Sequence, residues 1–324
     1  MDNPNALLSC YTANLVAYLE RCFPHAANQV ARSVRLAVRR SPRWPLAFSH
    51  HDHPLNQLPD GTRLTYRWAT SFATARGEVE SELEKHGQVL LVARSDRLPW
   101  SAQSAAAPHF VLLTGRDRDG WRLADNFTGL FPDGVVQSEF AGTVSDRDLK
   151  DMLAPIASLR GEHRLRNRYA FGHASVVPPD GTFQWVVRTG GDPARTDRIS
   201  ASDWCLDTAD SLSYLAGLVA DSRHFLRNPS FTEDLWAAAR HHLLRNEYLV
   251  AEAAGNALVG AVVAEAGEQW RTLPQILHIG VASAVRGRPR PALVPDALTR
   301  LARTEQNLAA VLSRPAFAGV GSSV

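Results

Sequence analysis

Cys10 is a candidate nucleophile close to the N-terminus of the chain. The spacing of apolar residues predicts a helix over residues 5–23, and Asn5 or Ser9 would cap its start. A thiolate attacks a carbonyl or thioester carbon, and the positive end of a helix dipole stabilises that negative charge. Cys10 therefore has a residue type and a position that suit covalent catalysis.

His109 is the candidate general base that such a nucleophile needs. It directly precedes an apolar run at residues 110–115, and a second run covers residues 121–127. The five residues 116–120 between them are charged and end in glycine, which indicates a turn. The pattern predicts a β-hairpin that begins at His109.

The register of this hairpin selects the group that orients the imidazole. With the turn at residues 116–120, residue 111 lies opposite Asp125, and alternation along the strand places His109 and Asp125 on one face. A slip of one residue would favour Asn126 instead. Each residue taken singly is typical of a structural role, but the order of Cys10, His109 and Asp125 predicts a catalytic triad.

Composition excludes several classes of protein. The formal net charge of the 324 residues is +2, too small to predict a nucleic-acid or membrane partner. Three cysteines, Cys10, Cys22 and Cys205, are too few and too scattered for a disulfide framework or a zinc cage. The first residues lack the features of a signal peptide. We therefore expect a cytoplasmic protein.

The order of predicted elements favours an α+β fold. Helices over residues 5–23 and 26–39 precede the strands, a second hairpin joins residues 169–176 to 183–187, and residues 200–312 have helical spacing with abundant alanine. The expected organisation is a catalytic domain at 1–165, a connecting hairpin at 166–199 and a helical domain at 200–324.

The motifs together resemble the papain-like fold in its bacterial, peptidase C39-like branch, and more narrowly the family of the butirosin biosynthesis protein BtrH. The resemblance rests on the cysteine helix SCYTANLVAYLER, the segment SDRLPW, and the runs PHFVLLTG and WRLADNF, within roughly residues 5–165. The helical C-terminal half suits that architecture by type.

The resemblance implies acyl transfer in natural-product biosynthesis. Cys10 would take an acyl chain from the phosphopantetheine arm of an acyl carrier protein and release it to a small-molecule amine or hydroxyl, or to water, with cyclisation also open. No further cofactor is expected. A cysteine peptidase or amide hydrolase, and a non-catalytic module that binds a carrier protein, remain alternatives.

The oxyanion hole departs from the papain-like pattern. Such enzymes generally carry a glutamine shortly before the nucleophile, whereas the amides here are Asn3 and Asn5. The backbone N–H of Cys10 is the first expected donor, and Asn3, Asn5 or Asn126 is a candidate for the second.

Further residues are candidates for the substrate pocket. The run His50-His51-Asp52-His53 invites a metal interpretation, but no partner motif accompanies it, so a pocket-lining loop is favoured and no metal is expected. Residues 160–168 form an arginine-rich stretch that suits either an acidic carrier protein or a solvated linker. The complete set of pocket candidates is Tyr11, Asn14, His51, His53 and Trp100.

Overall fold

A computed structural model describes residues 7–40, 46–103, 105–130, 136–190, 199, 202–221, 229–253 and 256–314. In chain order its helices and strands are α1 (Cys10–Glu20), α2 (Ala26–Ser33), β1 (Val34–Arg39), β2 (Phe48–His51), β3 (Thr62–Ala69), α3 (Phe72–His86), β4 (Val89–Arg94), β5 (Pro108–Arg116), β6 (Trp121–Asp125), β7 (Gly129–Leu130), β8 (Val136–Gln137), β9 (Phe140–Val144), α4 (Asp146–Met152), α5 (Gly161–Tyr169), β10 (Phe183–Gly190), β11 (Trp204–Cys205), α6 (Thr208–Asp221), α7 (Pro229–Glu252), α8 (Ala257–Val285) and α9 (Leu293–Leu312).

The described residues form two units. The first combines residues within Met1–Ala27 with residues within His53–Arg198, and the second combines Asn28–Asp52 with residues from Ile199 onwards. This division differs from the expected one at two places. Residues 183–190 join the first unit because β10 pairs with β3 and β4, and residues 34–51 join the second because β1 pairs with β2 and β11.

An antiparallel sheet of order β3-β10-β4-β5-β6-β9 is the frame of the first unit. Helix α1 packs against β4 and β5, and the rings of Tyr11 and Phe110 lie 4.4 Å apart. Helix α3 begins behind the N-cap Ser71 and ends at Gly87, whose φ of 70° is the left-handed conformation that glycine adopts without strain. Its buried side chains join those of β4, β5, β6 and β10 in one apolar core.

Two predicted elements are wrong in the first half of the chain. The helix predicted over residues 26–39 ends at Ser33, because the sequence VRLAVR that follows contains two β-branched valines, is mostly buried and pairs with β2 as strand β1. The hairpin predicted between residues 169–176 and 183–187 does not form, since β10 has β3 and β4 as its neighbours. The arginine-rich stretch is the helix α5 rather than a linker.

The second unit contains a small sheet of order β11-β1-β2 and the helices α6 to α9. The helical character predicted for residues 200–312 is confirmed, apart from the short strand β11. Together the units combine helices with antiparallel sheets, as the α+β prediction requires. Within the described part of the chain, no helix is both long and apolar enough to cross a membrane.

Candidate active site

Cys10 is the first residue of α1. The side chain of Ser9 caps the helix by accepting the backbone N–H of Thr12 at 3.4 Å. Cys10 is half-buried, and its own backbone N–H belongs to the group that has no acceptor within the helix. The helix thus places the thiol at the positive end of its dipole.

His109 and Asp125 meet where β5 begins and β6 ends. The pairing of Leu112 with Ala124 carries forward to place residue 111 opposite Asp125, and His109 Nε2 lies 2.8 Å from Asp125 Oδ2. Their exposed fractions are 2% and 0%. The predicted pairing of His109 with Asp125 is therefore confirmed. The register does shift by one residue, but between Leu113 and Gly115, on the turn side of this contact.

The imidazole of His109 connects the thiol to the carboxylate. Its side chain hydrogen-bonds Cys10, and because Nε2 is held by Asp125, Nδ1 is the nitrogen left for the thiol. Burial lowers the pKa of His109, but the negative charges of Asp125 and Cys10 and the hydrogen bonds to both raise it to about 10. The arrangement favours the imidazolium form of His109.

The Asp125 carboxylate accepts hydrogen bonds at both oxygens. Trp100 Nε1 and Gln137 Nε2 donate to Oδ2 at 2.9 and 2.7 Å, in addition to His109. Asn14 Nδ2 donates to Oδ1 at 3.0 Å, and the backbone N–H of Phe127 donates to the same oxygen at 3.2 Å. Burial raises the pKa of Asp125, but His109 and these donors lower it below its ordinary range.

The side chain of Asn14 forms hydrogen bonds with α1, β5 and β6. Its side-chain amide is also within 2.8 Å of the Phe110 carbonyl and 3.1 Å of the Cys10 carbonyl, and it is fully buried rather than facing an open pocket. Its Oδ1 accepts from the backbone and side-chain N–H groups of Asn126 at 2.9 and 3.1 Å. Asn126 therefore stabilises Asn14 and does not orient His109, because the register does not slip at this end of the hairpin.

An aromatic cluster adjoins Cys10. Tyr11 is buried, and its hydroxyl donates to the side-chain oxygen of Asn167. The hydroxyl of Tyr66 donates to the Asn167 carbonyl at 3.2 Å. Burial raises the pKa of Tyr66, and its electrostatic interaction with Cys10 raises it further.

Trp100 is half-buried on the other side of the triad. Its ring stacks on Phe140 with a centroid distance of 3.9 Å and an interplanar angle of 2°, while its N–H points to Asp125. Its indole therefore shields the carboxylate as well as bonding to it.

The histidine run does not join this group. His51 lies in β2 of the second unit, 1% exposed, with Nδ1 at 2.9 Å from the Ser33 hydroxyl. His53 is exposed in the loop between β2 and β3. Among the residues that the structure describes, no group of three His, Cys, Asp or Glu side chains could hold a metal ion. The candidate oxyanion donors Asn3 and Asn5 lie outside the described residues.

Sequence reasoning missed Gln137, Asn167 and Tyr66. Gln137 lies on a two-residue strand, and Asn167 lies in the stretch interpreted as a solvated linker, so no periodic pattern marked either residue. The contact of Asn14 did have a signal, because residues i and i+4 of a helix share a face and Asn14 follows Cys10 by four. No protein-family model matches the chain, and no curated protein matches it in sequence.

Proposed function

We propose that Cys10 is the nucleophile of an acyltransferase or thioester-cleaving enzyme. The thiol would accept an acyl chain from a carrier-protein thioester and pass it to an amine, a hydroxyl or water. The single observation that carries this proposal is the continuous contact from Cys10 through His109 to Asp125, at a helix N-terminus. The resemblance of the cysteine helix and the hairpin to the BtrH family supports the choice of a thioester.

The proposed reaction needs two proton transfers, and His109 is placed to make both. The Cys10 thiolate adds to the thioester carbonyl carbon, and the N–H groups at the start of α1 stabilise the oxyanion. The bond from carbon to the carrier's sulfur then breaks, and the imidazolium of His109 protonates the departing thiolate. The acceptor gives its proton back to His109 as it attacks the acyl-Cys10 thioester, which releases the product and the thiolate.

The expected partner is an acidic carrier protein, and α5 offers a basic surface. Arg160, Arg164 and Arg168 recur every four residues, which places them on one side of the helix, and all three are exposed. The same helix carries Asn167, which contacts Tyr11 next to the nucleophile. Arg160 pairs with Glu162 at 3.1 Å and Arg164 pairs with Asp180 at 2.6 Å, so the surface is partly neutralised.

Intact-protein mass spectrometry after incubation with an acyl-carrier protein tests the proposal. We expect one acyl adduct, located at Cys10 by peptide mapping. The Cys10→Ser variant should carry no thioester adduct that hydroxylamine releases rapidly at neutral pH. The matched control is Cys22→Ser, because Cys22 is an exposed cysteine of the same unit and should leave the adduct unchanged.

The alternatives give different outcomes. Turnover of peptide amides that requires Cys10, with no adduct from thioesters, would identify an amide hydrolase. Capture of the carrier protein without any adduct, with equal behaviour of Cys10→Ser, would identify a binding module and overturn the proposal.

A further inference from the structure

We propose that Gln137 is a positioning residue of the Cys10 site, which holds the Asp125 carboxylate in the orientation that directs His109 to the thiol. The inference rests on the proposed role of Cys10 as a nucleophile. Gln137 does not lie in the hairpin that carries His109 and Asp125; it comes from β8, which pairs with β7. It is 1% exposed, and its Nε2 lies 2.7 Å from Asp125 Oδ2.

The orientation of the Gln137 amide is fixed from its far end. Its Oε1 accepts from the Ser101 hydroxyl at 3.2 Å and from Gln103 Nε2 at 3.4 Å. With the oxygen engaged by two donors, the NH₂ group must point towards the carboxylate. Ser101 directly follows Trp100. One short segment therefore contains one neutral donor to Asp125 Oδ2, Trp100, and orients the other, Gln137.

Gln137 also lies beside the imidazole of His109, so it can influence how the imidazole and the Asp125 carboxylate meet. Gln137 Nε2 lies 3.5 Å from His109 Nε2, and both nitrogens direct N–H groups at Oδ2. Negative charge on the shared oxygen strengthens the hydrogen bonds from both of these donors. The neutral amide therefore stabilises the ionised carboxylate and fixes the direction from which His109 must approach it.

Replacing the amide by a carboxyl tests this arrangement. In Gln137→Glu the protonated carboxyl can donate to Oδ2 as the amide does, but its ionisation would place two carboxylates in contact. Neighbouring carboxylates share one proton, so the pKa of the pair's second ionisation is raised. Ionisation at higher pH should then push the Asp125 carboxylate away from His109.

The measurement is the rate at which iodoacetamide alkylates Cys10, with Cys22 in the same sample as an internal reference. We expect the ratio of the Gln137→Glu rate to the native rate to lie within about threefold of one at pH 5.5. It should fall at least about fivefold by pH 7.5, where a thiol with the ordinary pKa of about 8.5 is only about a tenth ionised. Val136→Glu is the matched control, because Val136 is the neighbouring residue of β8 and is 63% exposed. Its ratio should stay constant across this range.

A second variant covers the possibility that the charged substitution prevents folding. Gln137→Leu keeps the approximate shape and removes the donor, and we expect a rate about tenfold below native at every pH, with native circular dichroism. A pH-independent ratio for Gln137→Glu, a parallel fall in Val136→Glu, or a native rate in Gln137→Leu would overturn the proposal. Because alkylation needs no acyl substrate, failure of the proposed acyl transfer would show separately, as a missing acyl adduct on the native protein.

Discussion

Each unit contains buried histidines, and the pKa values of His109 in the first unit and His241 in the second are shifted in opposite directions. In the first unit, His109 contacts a fully buried carboxylate, and its pKa is raised to about 10. In the second unit, His50 and His51 of β2 lie against His241 of α7, with ring centroids 5.2 Å apart in both pairs. The pKa of His241 is lowered well below its ordinary value by burial and then by the neighbouring histidines.

His242 shows the same behaviour on the next position of α7. Burial and the charge of Arg245 lower its pKa, its Nδ1 lies 2.8 Å from the Ala238 carbonyl, and its ring stacks on Trp270 at 4.0 Å. A ring in this setting is a neutral packing group. The comparison of His109 with His241 and His242 shows that desolvation lowers the pKa of all three rings, and that contact with an ionised carboxylate raises the pKa of His109. Of these three histidines, His109 is the one that is charged and adjoins a thiol.

Removing the charged histidine should have the largest effect. We expect His109→Gln to reduce the alkylation rate of Cys10 by about 10²- to 10⁴-fold, the range for loss of a general acid–base group. The measurement is the iodoacetamide rate at pH 7, referred to Cys22. His242→Phe is the control, because His242 is a buried histidine with a lowered pKa. The alkylation rate of Cys10 in this variant should stay within about twofold of native. Equal losses in the two variants would contradict the comparison.

Removing the Asp125 carboxylate should make His109 neutral, as His241 and His242 are in the second unit. In Asp125→Asn the attraction that raises the pKa of His109 is lost while burial remains, so we expect that pKa to fall from about 10 to below the ordinary 6.5. Nitrogen-15 NMR titration of His109 measures the change directly. An imidazole that stays protonated at pH 9 in this variant would show that Asp125 is not the cause.

The sequence allowed the triad to be predicted because its contacts follow local rules. Helix capping placed Cys10 at the start of α1, although Ser9 rather than Asn5 is the cap. The two-residue period of strands placed Asp125 and not Asn126 beside His109. Two deviations compensate here: Arg116 pairs with Trp121, so the turn is one residue shorter than the predicted 116–120, and the register shift at Leu113–Gly115 restores the alignment of residue 111 with Asp125. Without that shift, residue 111 would lie opposite Asn126.

The contacts made by β10, Gln137 and His51 depend on pairings between distant parts of the chain. The apolar residues of β10 fit a strand equally well beside residues 169–176 or beside β3 and β4, and only the folded sheet decides. Gln137 reaches Asp125 from a two-residue strand that carries no pattern of its own. His51 was placed in a pocket by its neighbours in sequence, but the strand β2 buries it against α7.

Lowering the pH should reduce the contribution of the neutral histidines His241 and His242 to the free energy of unfolding. It should leave the contribution of the charged His109 unchanged. A group whose pKa is lowered by folding contributes stability that is present above its unfolded pKa, about 6.5, and is lost as the pH falls towards its folded pKa. His241 and His242 should each cost about 1.4 kcal/mol per pH unit within that window. The contribution of His109 has the opposite sign, since it is fully present below pH 6.5 and is lost as the pH rises through about 10.

Urea unfolding at pH 6.5 and 5.5 measures this difference. His242→Phe, which can keep the stack on Trp270, should lose about 1 kcal/mol less than the native protein over this interval, because the unfolded imidazole is only half protonated at pH 6.5. His53→Gln is the matched control because His53 is exposed, and its loss should equal the native one. A variant with Phe at position 242 and the full native pH dependence would show that this ring is not held neutral.

The smallest expected effect separates shielding from hydrogen bonding at Asp125. Trp100→Phe retains an aromatic ring to stack on Phe140 and removes the N–H that donates to Oδ2 at 2.9 Å. A hydrogen bond to a charged acceptor contributes about 1.5–3 kcal/mol, but His109 and Gln137 still donate to the same oxygen, so we expect the lower end of this range.

This corresponds to a loss of about 12-fold in the Cys10 alkylation rate. Phe140→Leu, which keeps the Trp100 donor and removes the stack, should cost less than about twofold if the hydrogen bond is the important contact. The reverse order of the two variants would show that the indole acts by excluding water from the ion pair. In that case the charge of His109 would depend on the exclusion of water from the site as well as on the Asp125 carboxylate. The carboxylate alone would then explain less of the pKa difference between His109 and the neutral histidines His241 and His242.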